Sequence, residues 1–311
     1  MNIRKIENQT CWVVSEGIAG TENQCIAVAE ALGVSFEIKR ITLREPWKSL
    51  SPYLGFEQAW SFSPALCPPW PDLVIASGRK SIAASRYIKR ASGGKAFTLQ
   101  IQDPRIDPAA FDLVAVPYHD PTRGENVIVT DAAPNRITPE KLIGARDSFP
   151  ELSALPAPRI AVLIGGSSKA YTLTPEIMRK LCAQLGDVNG SLMITPSRRT
   201  GADNVKILKD SLPGAYIYDG NGDNPYFAML ALADIILVTA DSTSMISDAC
   251  STGKPVYMIG LEGGHPRIDA LHNHLIDLGV LRRFDGDLET YSYEALQDAQ
   301  KIAQAIIERM K

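Results

Sequence analysis

Short apolar runs alternate along this sequence with amphipathic stretches of helix length, and this alternation limits the possible folds more than any other feature. Buried parallel strands form continuous apolar runs joined by helices, so the pattern predicts parallel sheets covered by helices. The runs predicted as strands are residues 10–15, 34–41, 72–76, 96–101, 113–116 and 126–129, followed by 159–164, 191–195, 215–218, 235–239 and 255–259. The predicted helices are residues 22–32, 80–90 and 293–310, with others beginning near Pro175, Gly201, Asn224, Thr243 and Pro266.

The chain has 311 residues, more than one hydrophobic core usually holds, so two domains are expected. Pro150, Pro156 and Pro158 collect where the periodicity stops, which favours a linker over residues 147–158. The predicted parts are a first domain in residues 1–146, a second in residues 159–290, and a C-terminal helix in residues 291–311 that packs on the first domain. The expected fold class is α/β, with two Rossmann-like domains whose parallel sheets face a central cleft.

The charge and the hydropathy of the chain argue against several classes of protein. A formal net charge of −3 and a pI near 5.9 disfavour a nucleic-acid-binding protein. The first ten residues are too polar for a signal peptide, and no apolar run approaches the roughly 20 residues that span a bilayer. The five cysteines show no paired spacing, so neither a disulfide nor a zinc site is expected. A cytoplasmic protein is therefore predicted.

Residues 47–70 break the alternation, because aromatic side chains and prolines crowd into them. One interpretation is an exposed apolar surface that contacts the inner membrane face peripherally or holds an apolar acceptor. The alternative is a long connection folded onto the core of the first domain.

Three loops connect a predicted strand to a helix, where backbone amides and the helix dipole favour an anion. The first, residues 15–24, contains Gly17 and Gly20, which allow a tight turn, followed by Glu22 and Asn23. It lacks the G-x-G-x-x-G spacing, which disfavours a nicotinamide or flavin site. The alternative is an ordinary turn with Glu22 in the first turn of the helix.

The second loop, residues 164–169, opens the second domain. Gly165 and Gly166 remove side chains from the approach of a ligand, and Ser167 offers a donor to a diphosphate. The loop is not a Walker A sequence, because the spacing and the Gly-Lys-Ser/Thr ending are absent.

The third loop, in residues 238–255, is the strongest candidate. Ser242, Thr243 and Ser244 are predicted to cap a helix while presenting hydroxyls and amides to a phosphate. Asp248 lies one turn further along the same face, where a carboxylate is placed for two ribose hydroxyls. The alternative is that these residues only cap the helix and Asp248 is a solvated charge.

Further polar groups follow other predicted strands. Arg79 and Arg105 are candidates to contact an anionic acceptor or a phosphate, and Asp103 is a candidate base. The alternative for Arg79 is a simple turn with solvated cations, and for Asp103 and Arg105 it is a buried ion pair within a proline turn. His119 is another candidate base, with an ordinary hydrogen-bonded histidine as its alternative. Arg198 is placed to neutralise a diphosphate.

The third loop resembles the donor-nucleotide motif of GT-B glycosyltransferases, in particular the peptidoglycan N-acetylglucosaminyltransferase family. In that family a serine- and glycine-containing loop contacts the diphosphate, an acid in the next helical turn binds ribose, and a Gly-x-Pro sequence follows. The matching residues are Ser242, Thr243, Ser244, Asp248, Gly253 and Pro255. Residues 165–167 resemble its glycine loop, and residues 15–24 resemble its acceptor loop, whose histidine is replaced near Thr21. The resemblance also places Tyr218 where the family holds its base and Arg267 near the donor sugar.

A resemblance that extends over almost the full chain is to the mitochondrial-fission ELM-type family, whose bacterial members are mostly uncharacterised. Its signs are residues 20–24 (Gly-Thr-Glu-Asn-Gln), 77–80 (Ser-Gly-Arg-Lys), 102–105 (Gln-Asp-Pro-Arg), 165–168 (Gly-Gly-Ser-Ser) and 241–248. This resemblance implies a GT-B-like fold but no particular reaction, because the plant members are known as recruiters of a fission dynamin.

These features predict a glycosyltransferase of the hexosyltransferase type that uses a nucleotide-diphosphate sugar on a cell-envelope lipid or saccharide. Glu22 or Asp103 would deprotonate the acceptor hydroxyl. The predicted donor-binding residues are Gly165, Gly166, Ser167, Arg198, Tyr218, Ser242, Thr243, Ser244, Asp248 and Arg267, and the predicted acceptor-side residues are Gly17, Gly20, Asn23, Arg79 and Arg105. No metal or further cofactor is expected, because helix dipoles and cations stabilise the leaving diphosphate in a GT-B site and Asp285-Gly-Asp287 is interpreted as a turn. A nucleotide-sugar 2-epimerase and a non-catalytic scaffold are the alternatives.

Overall fold

The computed structural model describes residues 9–310, which form two compact units. The first unit contains the chain up to Arg136 and from Gln297 onward, and the second contains Ile137–Leu296. The first eight residues, on which most of the argument against a signal peptide rests, lie outside the described residues, as does Lys311. Within residues 9–310, no helix is both long enough and apolar enough to cross a bilayer.

The first unit is built on six parallel strands, as the apolar runs predict. Its strands are β1 (Cys11–Ser15), β2 (Phe36–Arg40), β3 (Thr42–Leu43), β4 (Phe62–Ser63), β5 (Leu73–Ser77), β6 (Phe97–Ile101), β7 (Leu113–Pro117) and β8 (Val127–Thr130). Its helices are α1 (Ala19–Leu32), α2 (Trp47–Leu50), α3 (Ser81–Ala91) and, at the end of the chain, α11 (Asp298–Arg309). The sheet order is β2-β1-β5-β6-β7-β8, and β3 pairs with β4 in a separate antiparallel ribbon.

Both faces of this sheet are buried, which explains why its central strands are continuously apolar. Val13, Ile75 and Leu99 belong to a core cluster that includes residues of α1 and α11. Trp12 and Val74, on the opposite face, pack with residues of α3 and of the aromatic segment 47–70. The C-terminal helix therefore packs on the first unit, as expected, although it begins at Asp298 and not near residue 293.

The second unit repeats this architecture. Its strands are β9 (Arg159–Ile164), β10 (Tyr171–Thr172), β11 (Ser191–Pro196), β12 (Tyr216–Ile217), β13 (Ile235–Thr239), β14 (Val256–Ile259), β15 (Glu262–Gly263) and β16 (Arg282–Arg283). Its helices are α4 (Pro139–Arg146), α5 (Pro150–Ser153), α6 (Pro175–Gly186), α7 (Ala202–Ser211), α8 (Tyr226–Leu232), α9 (Thr243–Cys250) and α10 (Pro266–Asp277). The parallel sheet has the order β12-β11-β9-β13-β14-β16, and β10 pairs with β15. Sequence reasoning missed β16, because two arginines carry no apolar pattern.

The predicted linker, residues 147–158, instead belongs to the second unit. Leu152 in α5 is fully buried, and the Arg159 guanidinium donates hydrogen bonds to the carbonyls of Ser153 and Leu155. Because α4 also packs on α8, the division of the chain falls before α4 and not after it. The prolines of this segment therefore do not mark a flexible connection, and one of them occupies the first turn of α5.

Candidate functional site

The first turn of α9 lies at the carboxyl edge of the second sheet, directly after β13. Ser242 is the N-cap residue, and its hydroxyl accepts a hydrogen bond from the Met245 amide at 3.4 Å. The amides of Thr243 and Ser244 have no hydrogen-bond acceptor within residues 9–310. Thr243 is half-buried and Ser244 is exposed. This turn therefore keeps two backbone donors at the positive end of a helix, the arrangement that binds anions.

Gly165 and Gly166, predicted to leave room for a ligand, instead leave room for neighbouring protein atoms. A Cβ added to Gly165 would lie 2.3 Å from both carboxylate oxygens of Asp241, and one added to Gly166 would lie 2.1 Å from the carbonyl oxygen of Arg199. The Gly165 amide donates to the Thr239 hydroxyl at 2.7 Å, and the Gly166 amide donates to Asp241 at 3.0 Å. The two glycines therefore permit a close packing of loops, and their contact with a ligand stays a prediction.

Asp241 is the residue of this edge that sequence reasoning missed. Its side chain is fully buried, and its carboxylate accepts hydrogen bonds from the Thr239 hydroxyl at 2.7 Å and from Gly166. It also forms an ion pair with Arg199 at 2.8 Å. These groups meet because β9 lies between β11 and β13 in the sheet. An aspartate between a buried strand and an N-cap was visible in the sequence, but its partners lie on two other loops.

Arg198 and Arg199 follow β11 and have different surroundings. Arg199 is held by Asp241 while 44% of its side chain is exposed. Arg198, predicted to neutralise a diphosphate, is exposed and has no side-chain partner within residues 9–310. The hydroxyls of the flanking Ser197 and Thr200 each donate at 2.6 Å to one carbonyl oxygen of the glycine loop. This edge therefore carries one cation, Arg199, fixed close to α9, and a second, Arg198, that no side chain of residues 9–310 pairs.

Asp248 reaches the first turn of α8, which follows β12. Its carboxylate accepts a hydrogen bond from the hydroxyl of Tyr226, the first residue of α8, at 2.8 Å. Burial raises the pKa of Asp248 to about 6, while the bond from Tyr226 acts in the opposite direction. Asp248 is thus not a solvated charge. In its ionised form it has further lone pairs with which to accept hydroxyl hydrogens.

Three further residues predicted to bind the donor nucleotide sugar are Ser167, Tyr218 and Arg267. The Ser167 hydroxyl accepts a hydrogen bond from the Leu173 amide at 3.0 Å, so it closes its own loop. Tyr218, just after β12, donates from its hydroxyl to the Gly222 carbonyl at 3.3 Å. Arg267 is exposed in the first turn of α10, a helix capped by a histidine side chain. Ser167 therefore has a structural role.

Neither a metal cluster nor a disulfide occurs in the part of the chain that the structure describes. No group of three or more His, Cys, Asp or Glu side chains there is arranged to hold a metal ion. Asp285 and Asp287 form a bend in which the Asp287 amide donates to the Asp285 carboxylate at 3.3 Å, in agreement with the interpretation as a turn. All five cysteines are unpaired thiols, and Cys67 is the exposed one.

A second polar cluster lies at the carboxyl edge of the first sheet and is built around Gln24. The side-chain oxygen of Gln24, in α1, accepts hydrogen bonds from the Ser77 hydroxyl and from the Gln102 side-chain amide, each at 3.1 Å. Gln24 therefore joins α1 to residues 77–80 after β5 and to residues 102–105 after β6. Three of the sequence motifs that carried the family resemblance meet at this one buried amide.

Helix α1 begins at Ala19, three residues earlier than predicted. Gly20 consequently lies in the first helical turn and not in the loop, and Asn23 is exposed on the helix. Gly17 has the predicted turn conformation, with a φ of 79° and its amide donating to the Ser15 hydroxyl at 2.8 Å.

Glu22, predicted as a catalytic base, forms an ion pair with Arg40. Its two carboxylate oxygens accept hydrogen bonds from the guanidinium at 2.7 and 3.0 Å. These bonds hold the pKa of Glu22 below its ordinary value, although burial acts in the opposite direction. A carboxylate with a lowered pKa is a weaker base, so the geometry disfavours Glu22 in that role.

Asp103 follows β6 in a turn with a strained backbone. Gln102 and Arg105 on either side have φ angles of 71° and 57°, which residues other than glycine rarely adopt. The Asp103 carboxylate accepts hydrogen bonds from the Arg105 amide at 2.8 Å and from the Thr122 hydroxyl at 2.7 Å. Its own amide donates to Asp120 at 3.1 Å. Such strain is often found at functional sites, which favours Asp103 over Glu22 as a site residue.

The aromatic segment, residues 47–70, is partly folded onto the core and partly an exposed apolar surface, so each of the two interpretations describes part of it. The side chains of Trp47, Phe62 and Leu66 are buried in the core of the first unit. Those of Leu50, Tyr53, Phe56 and Trp60 are exposed. The Arg79 side chain is also exposed, and its carbonyl accepts a hydrogen bond from the Ser51 hydroxyl at 3.0 Å. The exposed part of the segment therefore lies beside the loop after β5.

The family to which these motifs point is decided by comparison with known sequences. The model of the family described as mitochondrial fission ELM1 matches residues 19–310. The chain belongs to this family. Mitochondrial fission protein ELM1 of Arabidopsis thaliana is 34% identical over 275 residues, which are 76% of this chain and 63% of that protein, so the match spans less than two thirds of the plant protein. Uncharacterized protein RP120 of Rickettsia prowazekii is 26% identical, over 95% of this chain and 97% of that protein.

Solved structures with a similar fold include glycosyltransferases and UDP-N-acetylglucosamine 2-epimerases. MurG of Acinetobacter baumannii has a TM-score of 0.50 and 13% identity, covering 97% of this chain and 91% of that one. A putative UDP-N-acetylglucosamine 2-epimerase of Listeria monocytogenes has a TM-score of 0.53 and 10% identity, covering 97% and 90%. The glycosyltransferase of kitacinnamycin has a TM-score of 0.52 and 14% identity, covering 98% and 93%. At these identities the likeness concerns the fold, which is GT-B-like as expected.

Proposed function

We propose that the second unit binds the diphosphate of a nucleotide sugar at α9, and that the chain transfers the sugar to an acceptor bound by the first unit. The observation that carries this proposal is the first turn of α9, where the amides of Thr243 and Ser244 have no hydrogen-bond acceptor among the described residues. The ion pair between Asp241 and Arg199 lies within two residues of that turn. Backbone donors, a helix N-terminus and a fixed guanidinium together suit a phosphate group.

The balance of charge at this edge supports an anionic ligand. A buried Asp241 carboxylate alone would repel a phosphate, but Arg199 neutralises it. Arg198 then adds a positive charge that no described side chain compensates. Asp248 carries a negative charge when it is ionised, so we assign it to the ribose hydroxyls and not to the diphosphate. Tyr226 orients the Asp248 carboxylate for that contact.

In the proposed transfer, the oxygen of the acceptor hydroxyl bonds to the anomeric carbon while the bond from that carbon to the diphosphate oxygen breaks. The electron pair of the broken bond leaves with the diphosphate, whose charge is stabilised by the Thr243 and Ser244 amides and by Arg198. The hydroxyl proton passes to a carboxylate, for which we favour Asp103 because Glu22 is occupied by Arg40. The acceptor we propose is a cell-envelope lipid or saccharide, and the site needs no metal for these steps.

The experiment that tests the donor site is calorimetric titration with UDP and UDP-N-acetylglucosamine, the sugar nucleotide in the names of proteins with this fold. Thr243→Pro removes one amide donor at the first helical position, where proline is well tolerated. Thr243→Ala is the matched control, because it removes the hydroxyl and keeps the amide. We expect Thr243→Pro to weaken binding about tenfold or more, since a hydrogen bond to a charged group is worth roughly 1.5–3 kcal/mol. Wild-type protein that binds no nucleotide diphosphate, or a Thr243→Pro variant of unchanged affinity, would contradict the proposal.

A second candidate function, a recruiting scaffold without chemistry, is supported by membership of a family described by mitochondrial fission. Incubation with a sugar nucleotide separates the possibilities. Release of nucleotide that depends on an added acceptor indicates transfer, whereas an epimerised sugar without acceptor indicates a 2-epimerase. Binding without either product supports the scaffold.

A further inference from the structure

Four large apolar side chains of the first unit are exposed within residues 50–60. The exposed fractions are 51% for Leu50, 70% for Tyr53, 86% for Phe56 and 57% for Trp60. Single exposed apolar residues are normal on a protein surface, but a group of them in one place marks an interaction site. We call these four residues the exposed aromatic surface.

Contacts within the segment connect the parts that carry these four residues. The rings of Trp60 and Trp47 pack edge to face, with their centroids 5.0 Å apart. The Trp47 indole nitrogen donates to the Gly55 carbonyl at 2.9 Å, next to Phe56. Leu50 and Tyr53 lie on one turn, in which the Tyr53 amide donates to the Leu50 carbonyl. The buried Trp47 indole therefore contacts Trp60 directly and fixes the backbone next to Phe56, while Leu50 and Tyr53 follow it on an adjoining turn.

The loop that carries Phe56 is fixed in place. Phe56 has a φ of 60°, a left-handed conformation that persists only where the surroundings impose it. Here the Arg86 guanidinium donates to the Leu54 carbonyl at 2.8 Å and to the carboxylate of Glu57, whose side chain is fully buried. Arg90 donates to the carbonyl of Glu57. The protein thus maintains a strained backbone that projects a phenyl ring into solvent.

The charges around this surface are mostly positive, in contrast to the whole chain. Arg44 and Lys48 are exposed beside it, and exposed Arg79 adjoins it through the bond from Ser51 to the Arg79 carbonyl. Glu45 is the exposed acid of the same stretch, which leaves three cations against one anion. A positive rim around aromatic side chains complements a surface that is both apolar and anionic.

We propose that the exposed aromatic surface binds the headgroup region of an anionic phospholipid bilayer. Tyrosine and tryptophan favour the membrane interface, because one part of each ring system is apolar and another part is polar. Phe56 and Leu50 would enter the boundary of the acyl chains, and Arg44, Lys48 and Arg79 would contact lipid phosphates. This proposal concerns the first unit alone and does not depend on the donor site in the second.

The test is co-sedimentation of the full chain with vesicles of phosphatidylglycerol and phosphatidylethanolamine, compared with vesicles of phosphatidylcholine. Phe56→Asn removes the ring and keeps the left-handed backbone, which asparagine tolerates, so this variant is expected to fold. We expect Phe56→Asn combined with Trp60→Ser to lower the affinity for anionic vesicles at least tenfold. Ile143→Ser, an exposed apolar residue of the second unit, is the matched control and should bind as the wild type does.

The charge contribution is tested in the same assay. Arg44→Glu with Lys48→Glu should weaken binding to anionic vesicles at least fivefold, whereas Lys180→Glu, at an exposed position of α6 in the second unit, should not. Equal binding to both kinds of vesicle, or binding that the aromatic variants leave unchanged, would overturn the proposal. The proposal would also be overturned if the wild-type chain did not bind vesicles and sedimentation velocity showed that it self-associates through these residues. Titration of each variant with UDP measures nucleotide binding at the donor site, so a failure of the donor-site proposal is distinguished from a failure of this one.

Discussion

The carboxyl edges of the two sheets are built from the same strand–loop–helix units, yet different groups hold their loops together. In the first unit, the neutral side-chain amide of Gln24 connects the loops after β5 and β6. In the second unit, a buried Asp241 paired with Arg199 connects the loops after β9, β11 and β13. Neutral hydrogen bonds require only alignment, whereas a buried carboxylate requires a compensating cation. The first edge also holds an ion pair, that of Glu22 with Arg40, but only in the second edge is the residue that connects the loops itself a buried carboxylate with a cation fixed beside it.

The glycines of the two edges also have different roles. At Gly17 the nearest atom to an added Cβ is 3.8 Å away, so this residue is needed for its φ of 79° and not for space. At Gly166 an added Cβ would meet the backbone of Arg199. Glycine-rich loops that look alike in a sequence therefore serve conformation alone at Gly17, whereas at Gly166 close packing adds to a positive φ of 152°.

The largest effect that we expect is a loss of stability that distinguishes a glycine in a tightly packed loop from a glycine needed only for its φ angle. Gly166→Ala should lower the free energy of unfolding by about 3 kcal/mol or more, because a backbone carbonyl cannot move aside as a side chain can. Gly17→Ala should lower it by only about 1–2 kcal/mol, the cost of a left-handed backbone. Urea denaturation measures both. Gly144→Ala, in α4 with no atom within 4 Å of the added Cβ, is the control and should be neutral or slightly stabilising.

The next effect concerns the groups that connect the loops. Arg199→Met should lower the free energy of unfolding by roughly 2–3 kcal/mol, because it leaves the buried Asp241 carboxylate without its cation. Gln24→Met should cost about 1–2 kcal/mol, because two neutral donors lose their acceptor. The same denaturation experiment compares them. Arg198→Met is expected to leave stability unchanged, and equal losses at positions 198 and 199 would refute the proposed role of the Asp241 pair.

Substitution of Asp248 at the second edge and of Glu22 at the first should change the free energy of unfolding in opposite directions. The folded pKa of Asp248 is raised to about 6, so its ionisation at neutral pH opposes folding. Asp248→Asn should therefore raise the free energy of unfolding by about 1 kcal/mol at pH 7.5, and this gain should shrink as the pH falls through about 6 and vanish below the ordinary aspartate pKa of 3.8. The folded pKa of Glu22 is lowered, so Glu22→Gln should reduce stability at pH 7.5 and lose this effect in acid. That reduction should be at most about 1 kcal/mol, because solvent reaches Arg40 and screens the pair.

The smallest effect concerns the pH dependence of donor binding. Affinity for UDP-N-acetylglucosamine should fall as the pH drops through about 6, because protonated Asp248 is a poorer acceptor. The Tyr226 hydroxyl favours the ionised form, so Tyr226→Phe should move this midpoint to higher pH by less than about one unit. Titrations between pH 5 and 8 measure the shift. In Asp248→Asn the affinity should be lower and independent of pH, and an unchanged midpoint in Tyr226→Phe would contradict the assignment.

Several parts of the candidate site were predictable from local sequence. Serine and threonine after a buried strand indicate a helix N-terminus, and Ser242 caps α9 in the structure as predicted. Gly17 was predictable as a tight turn for the same local reason. Asp241 was not, because its importance depends on Arg199 and Gly166, which reach it only once β11, β9 and β13 are adjacent. The ion pair of Glu22 with Arg40 likewise joins α1 to the end of β2.

The sequence by itself determined the α/β class, eleven of the twelve strands in the two parallel sheets and most of the helix starts, because apolar periodicity and capping residues act over a few neighbouring positions. Only the tertiary structure decided where the units divide, since α4 and α5 pack on the second unit despite their prolines. It also decided which aromatic residues in positions 47–70 face solvent and which are buried, and which acids carry a raised or a lowered pKa. Those outcomes depend on burial and on partners far apart in the chain, and a local pattern contains no information about either.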